Sequence, residues 1–164
     1  MQDAIILLSG GQDSATCLYW ALKKFRHVHA IGFDYGQSHL IELEKAAEIA
    51  DDANVSYKVF NVQGLLAPSS LTIKTNHNKA SDINPQLPAS FTAGRNLLFM
   101  AIAGSYAAEL GINDIVAGVC QTDYSGYPDC RRTTMNAVEL SLSLGLGVGD
   151  IRIHTPLMYL TKAE

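Results

Sequence analysis

The chain has 164 residues, is 48% hydrophobic, and carries a net charge of −4 with a pI near 5.7. An acidic balance with a single short basic cluster, Lys23-Lys24-Phe25-Arg26, argues against a nucleic-acid surface, and no apolar run reaches the ~20 residues of a membrane span. Three cysteines (Cys17, Cys120 and Cys130) without a C-x-x-C pair argue against a disulfide framework and suit a reducing cytoplasm.

The pattern alternates strand and helix. Residues 4–8 read as a first buried strand and 14–25 as a helix with Cys17, Leu18, Ala21 and Leu22 on its apolar face. The basic cluster ends that helix, where cations suit the dipole. A second strand is expected at 28–33. A helix follows at 39–53 with Leu40, Leu43, Ala47 and Ala50 inward, then a third strand at 56–61. Residues 63–94 show no periodicity but carry prolines at 68, 85 and 88, and read either as a substrate lid or as a surface insertion. A long apolar helix at 95–110 is closed by Gly111. A fourth strand (114–119), a helix (132–144) running into a glycine-rich stretch, and a short strand (151–154) complete the series. Alternation of this kind predicts one α/β domain over residues 1–164. Its core is a doubly wound parallel sheet of about five strands with helices on both faces. Thr161-Lys162-Ala163-Glu164 has the form of a capping box, so a further helix is expected to begin there, in a C-terminal part that this chain lacks.

The strongest chemical signal is Ser9-Gly10-Gly11-Gln12-Asp13-Ser14, set between the first strand and the first helix. Glycines let backbone N–H groups approach an anion, and a helix N-terminus adds partial positive charge. The loop has no lysine, unlike G-x-x-x-x-G-K-[ST], and lacks the spacing of a dinucleotide fingerprint. It matches S-G-G-x-D-S, the loop of the PP-loop ATP pyrophosphatases.

Loops after the strands of such a sheet converge on one edge. Asp34, after the second strand, reads as a ribose ligand or as a turn residue before Tyr35-Gly36. Arg95 opens a helix, where a cation is unfavourable, so a phosphate or carboxylate partner is expected; a plain surface arginine is the other reading. Residues 118–131 concentrate Asp123, Tyr124, Tyr127, Asp129, Cys130 and Arg131. Asp123 or Asp129 can accept paired hydrogen bonds from a guanine-like ring while the tyrosines stack on it. The other aspartate is left to hold Mg2+ or to cap the next helix. Cys130 reads as a nucleophile or as a small buried side chain.

Taken in order, Leu8 to Ser14, Phe33-Asp34-Tyr35-Gly36-Gln37, Gly94-Arg95-Asn96, Thr122 to Arg131 and Thr155-Pro156-Leu157-Met158 resemble the 7-cyano-7-deazaguanine synthases, the QueC family of queuosine biosynthesis. The Ser-Gly-Tyr-Pro-Asp-Cys-Arg string is the most specific part. The resemblance implies a cytoplasmic, homodimeric ligase that converts 7-carboxy-7-deazaguanine and ammonia to the nitrile with ATP and Mg2+. It implies an ATP-binding segment of Leu8, Ser9, Gly10, Gly11, Gln12, Asp13, Ser14, Ala15, Thr16, Cys17 and Leu18, with Asp34 beside it. Catalytic contacts are implied for Asp13, Ser14, Arg95, Asp123, Asp129 and Arg131, and substrate contacts for Asp123, Tyr124 and Tyr127. The family also carries a structural zinc on four C-terminal cysteines, and none of the three cysteines here matches them. The alternatives are another PP-loop adenylating enzyme, acting in tRNA thiolation or amidation, or an ATP-binding module without catalysis.

Overall fold

The computed structural model describes residues 2–36, 41–66, 86–88, 90–122, 127–161 and 164. Strands β1 (Ala4–Leu7), β2 (Val28–Asp34), β3 (Ser56–Asn61), β4 (Asp114–Val116) and β5 (Arg152–His154) form one sheet in the order β3-β2-β1-β4-β5. Every pairing is parallel. The chain runs outward from β1 to β3, then returns to place β4 on the other side of β1. The strand order therefore reverses between β1 and β4, and a crevice opens there at the carboxyl ends.

Helices α1 (Gln12–Lys24), α2 (Ile41–Asp52), α3 (Arg95–Leu110) and α4 (Arg132–Leu146) cover the sheet. Alternate side chains of the three central strands, β1, β2 and β4, feed two cores. Ile6, Ala30 and Val116 pack with Cys17, Leu18 and Ala21 of α1 and Ala46 and Ala50 of α2. Ile5, Ile31 and Ile115 pack with Met100, Ala103 and Ala107 of α3 and Met135 and Leu142 of α4. Burial on both faces explains why β1 reads as an unbroken apolar run, whereas the edge strand β3 is mostly exposed.

Several boundaries differ from expectation. Helix α1 starts at Gln12, because Gly11 already has the extended geometry of an N-cap (φ −81°, ψ 161°). β4 ends at Val116, three residues early. On α2 the inward alanine is Ala46, while Ala47 is exposed. A 43–46–50 stripe follows the helical repeat as well as 43–47–50 does, and contact with the sheet decides between them. Gly147 closes α4 in the left-handed region (φ 66°), two residues later than expected. A 3-10 turn at Pro128–Cys130 was not expected. His39, Leu40 and most of the 63–94 segment lie outside the described residues.

The amino end of the sheet is locked by an ion pair between the buried Asp114 and the half-exposed Arg152. Arg152 donates from Nε to Asp114 Oδ1 at 2.8 Å and from Nη2 to Oδ2 at 2.7 Å, and His154 Nε2 lies 2.7 Å from Oδ1. Burial works to raise the Asp114 pKa, but the hydrogen bonds from Arg152 and His154 outweigh it and leave the group below its ordinary value. On acidification the unfolded chain therefore takes up this proton first. The stabilisation is whole above about pH 4 and is lost as the pH falls through the folded value. Asp114→Asn is expected to lower unfolding free energy by about 1–3 kcal/mol at pH 7. The gap from wild type should narrow in urea titrations at pH 3; a gap independent of pH would remove the carboxylate from this role.

Candidate active site

The β1–α1 connection is a tight anion loop stapled by its own hydroxyls. Ser9 donates from its backbone N–H and its Oγ to Ser14 Oγ at 3.2 and 3.1 Å. Ser14 Oγ in turn donates to the Gly11 carbonyl at 2.9 Å. Ser14 is buried and makes the loop rigid from below. Gly10 sits in the left-handed region (φ +83°), and a Cβ there would lie 2.4 Å from the Glu42 carbonyl oxygen. The loop thus rests against the backbone of α2. From the other side Gly118, just after β4, approaches the first turn of α1; its Cβ would lie 3.0 Å from Ser14 N. Both contacts require a missing side chain, and together they fix the N-terminus of α1 at the switch point.

Above this loop lies a cleft of about 490 Å3. Leu8, Ser9, Gly11, Gln12, Asp13 and Ser14 form its floor. Glu42 and Leu43 of α2 close one side. Arg95, Asn96, Phe99 and Met100 of α3 close another, with Cys120, Tyr127 and Cys130 beyond. The wall opposite the loop is aromatic. Phe33 and Phe99 stack with centroids 4.1 Å apart and planes at 4°, and Tyr35 leans on Phe99 at 5.7 Å. The Arg95 guanidinium lies over the Tyr35 ring at 5.9 Å. Burial raises the Tyr35 hydroxyl pKa, with Arg95 opposing. One end of the cleft thus offers backbone donors and a helix N-terminus, and the other offers ring faces and a cation.

The structure brings together many of the residues expected from the sequence, but not all of them. Leu8, Ser9, Gly11, Gln12, Asp13, Ser14, Arg95 and Tyr127 line the cleft, with Gly10 in the same loop. Ala15 continues α1 by donating its N–H to the Gly11 carbonyl, and Thr16 Oγ1 donates to the Gln12 carbonyl at 2.9 Å. Cys17 and Leu18 point into the core instead; burial, helped by Asp13, pushes the Cys17 thiol up to about 12. Asp34 does not line the cleft: its Oδ1 accepts from Gly36 N at 3.1 Å and its Oδ2 from Gln63 Nε2 at 2.8 Å. That is the turn-residue reading of Asp34. Arg131 is exposed at the N-cap of α4, outside the cleft. Asp129, expected as a catalytic or substrate contact or else as a cap for the next helix, is buried outside the cleft lining and caps α3: its Oδ2 accepts from Asn96 N at 3.1 Å. Cys130 faces the cleft, and Asn96 Nδ2 donates to its sulfur at 3.3 Å. Asp123 and Tyr124 lie outside the described residues.

Phe33, Glu42, Phe99 and Met100 were missed. Phe99 lies one helical turn beyond Arg95, and that spacing alone would have placed both on one face. Among the described residues, no group of three or more His, Cys, Asp or Glu converges to hold a metal, and no helix is long and apolar enough to cross a membrane. The reach-back contact of the expected capping box is present: Glu164 Oε2 accepts from Thr161 N and Oγ1, each at 2.9 Å.

Comparison with known proteins agrees with this geometry. A family model described as queuosine biosynthesis protein QueC matches residues 3–164. The chain is 46% identical over 167 residues to 7-cyano-7-deazaguanine synthase of Laribacter hongkongensis, covering 99% of this chain and 72% of that protein. It is 48% identical over 167 residues to the synthase of Phocaeicola vulgatus, covering 99% and 73%. In fold it is similar to a 4-thiouridine synthetase crystallised with RNA and bound ATP (TM-score 0.64, 21% identity, 99% of this chain and 38% of that one). The architecture is that of the PP-loop enzymes, and the chain belongs to the QueC family.

Proposed function

We propose that this protein makes 7-cyano-7-deazaguanine from 7-carboxy-7-deazaguanine and ammonia at the cost of ATP. The observation that carries the reading is one cleft with the stapled Ser9–Ser14 loop at one end and Arg95 with an aromatic wall at the other.

In this reading the loop and the N-terminus of α1 hold the β- and γ-phosphates of ATP, and the deazaguanine ring lies against the aromatic side with Tyr127. Arg95 pairs with the substrate carboxylate. A carboxylate oxygen attacks the α-phosphorus and pyrophosphate leaves, giving an acyl-adenylate. Ammonia attacks the acyl carbon and AMP leaves, giving the amide. The amide oxygen then attacks the α-phosphorus of a second ATP and pyrophosphate leaves; the adenylated amide loses AMP and its nitrogen-bound protons, and the C≡N bond forms. Backbone donors aimed at the departing pyrophosphate favour the charge that develops there.

Mg2+ fits the donor set. It is commonly held by one or two carboxylates together with phosphates and water, and Asp13 supplies a carboxylate at the phosphate end of the cleft. When bound it would neutralise phosphate charge. A structural zinc does not fit the cysteines present. Cys17 is buried in the core with a raised pKa, Cys120 has hydroxyl and carbonyl partners, Cys130 accepts from an amide, and among the described residues no group of three or more His, Cys, Asp or Glu converges. A homodimer would find apolar surface on α4, where Leu140 and Leu144 are 60% and 76% exposed. Free thiols suit the cytoplasm.

The chemistry fixes the fate of both carboxylate oxygens. With substrate doubly labelled with oxygen-18, ATP, Mg2+ and ammonia, mass spectrometry should find nitrile and labelled AMP, one labelled oxygen for each AMP. ADP as product, or unlabelled AMP, contradicts the mechanism.

A further inference from the structure

We infer that Asp129 is a positioning residue. It caps α3 from 33 positions away in sequence and so holds Arg95, Asn96 and Cys130 at the cleft. The inference rests on the adenylation reading for its assay.

Helix α3 starts with a deficit. Its N-cap is Gly94, in the left-handed conformation (φ 75°), with no side-chain cap. Its first turn carries no acid, and its first residue is a cation. A helix N-terminus leaves backbone donors without intrahelical partners, and a cation there opposes the dipole. The Arg95 N–H is met by the Thr92 carbonyl at 3.1 Å. The Asn96 N–H is met by Asp129 Oδ2 at 3.1 Å. Asp129 therefore supplies the missing acceptor at the end of the helix where Arg95 sits.

Three features place this role beside the chemistry rather than in it. Asp129 is only 6% exposed and does not line the cleft, although its neighbours Tyr127 and Cys130 do. The contact is doubled, since Asn96 Nδ2 donates to Cys130 Sγ at 3.3 Å, so the first turn of α3 and the Pro128–Cys130 turn are pinned at two adjacent points. The turn is also tied to the start of α4 by Thr134 Oγ1, which donates to the Pro128 carbonyl at 2.7 Å. Removing the Asp129 carboxylate releases one end of a two-point clamp whose cleft side carries Arg95.

Asp129→Asn and Asp129→Ala separate this role from direct contact with substrate or metal. Asparagine accepts a backbone hydrogen bond as well as aspartate does in caps, whereas alanine cannot. Steady-state AMP formation is measured with each protein, varying ATP and the acid substrate in turn. The expected result is that Asp129→Asn keeps kcat/KM for the acid within about threefold of wild type. Asp129→Ala should lose on the order of 10–100-fold for the acid substrate while KM for ATP hardly moves, because the ATP loop belongs to β1 and α1. A folded Asp129→Asn as inactive as Asp129→Ala overturns the inference in favour of a charge that touches the reactants. So does a folded Asp129→Ala with wild-type kinetics. Should Asp129→Ala fail to fold, the activity of Asp129→Asn alone decides. Absence of AMP formation by the wild-type protein would instead strike the adenylation reading.

Discussion

Asp13→Asn is expected to lower AMP formation on the order of 100-fold or more while the protein stays folded. Asp13 lies in the first turn of α1 and lines the cleft beside the Ser9–Ser14 loop. Its charge complements the helix dipole, which is worth only about 0.3–1 kcal/mol, so stability changes little when asparagine replaces it. In the proposed adenylation its value is larger, because a neutral amide would not hold Mg2+ as a carboxylate does. Single-turnover assays of AMP release, with thermal melts as the control for folding, check this. Unchanged turnover would remove Asp13 from the mechanism.

Gly10→Ala is expected to act on fold and function together. Its φ of +83° is one that residues with a Cβ adopt at a cost of roughly 1–2 kcal/mol. The added carbon would also lie 2.4 Å from the Glu42 carbonyl oxygen and 3.1 Å from Ala46 N. Those atoms are backbone of α2 and cannot swing aside as a side-chain tip would. Relief of the clash requires α2 to move from the loop or the loop to open, at about 1–3 kcal/mol more. Urea unfolding should show a loss of about 3 kcal/mol. The surviving folded protein should bind ATP at least about tenfold more weakly, because the donors of the loop no longer converge. Wild-type stability and ATP affinity in Gly10→Ala would show that this contact does not shape the site.

The parts of the site that were legible in the sequence are those built from adjacent residues. The strand–Gly-Gly–helix string places its own donors, so the loop from Ser9 to Ser14 was read correctly as a unit at the edge of the sheet. Gly111 was recognisable as the end of α3 because a left-handed C-cap is a local requirement. Parallel order followed from apolar strands alternating with helices. What was not legible depends on residues far apart in the chain. Asp129 looked like a cap for the helix just after it, yet the nearest unmet N–H in space belongs to Asn96. Asp34 carries the spacing of a ribose ligand, but Gln63 and the Gly36 N–H engage both its oxygens. The Phe33–Phe99 wall joins β2 to α3, and no local pattern announces such a pair. On α2, the choice between Ala46 and Ala47 was open until the sheet fixed the helix rotation.

The most direct test of the central claim is a crystal structure with a non-hydrolysable ATP analogue and Mg2+. The expected result has the β- and γ-phosphates bound by backbone N–H groups of residues 10–14, with the α-phosphorus turned toward the Arg95 side of the cleft. A triphosphate bound elsewhere on the molecule, with that loop unoccupied, would contradict the assignment of this cleft as the site of adenylation.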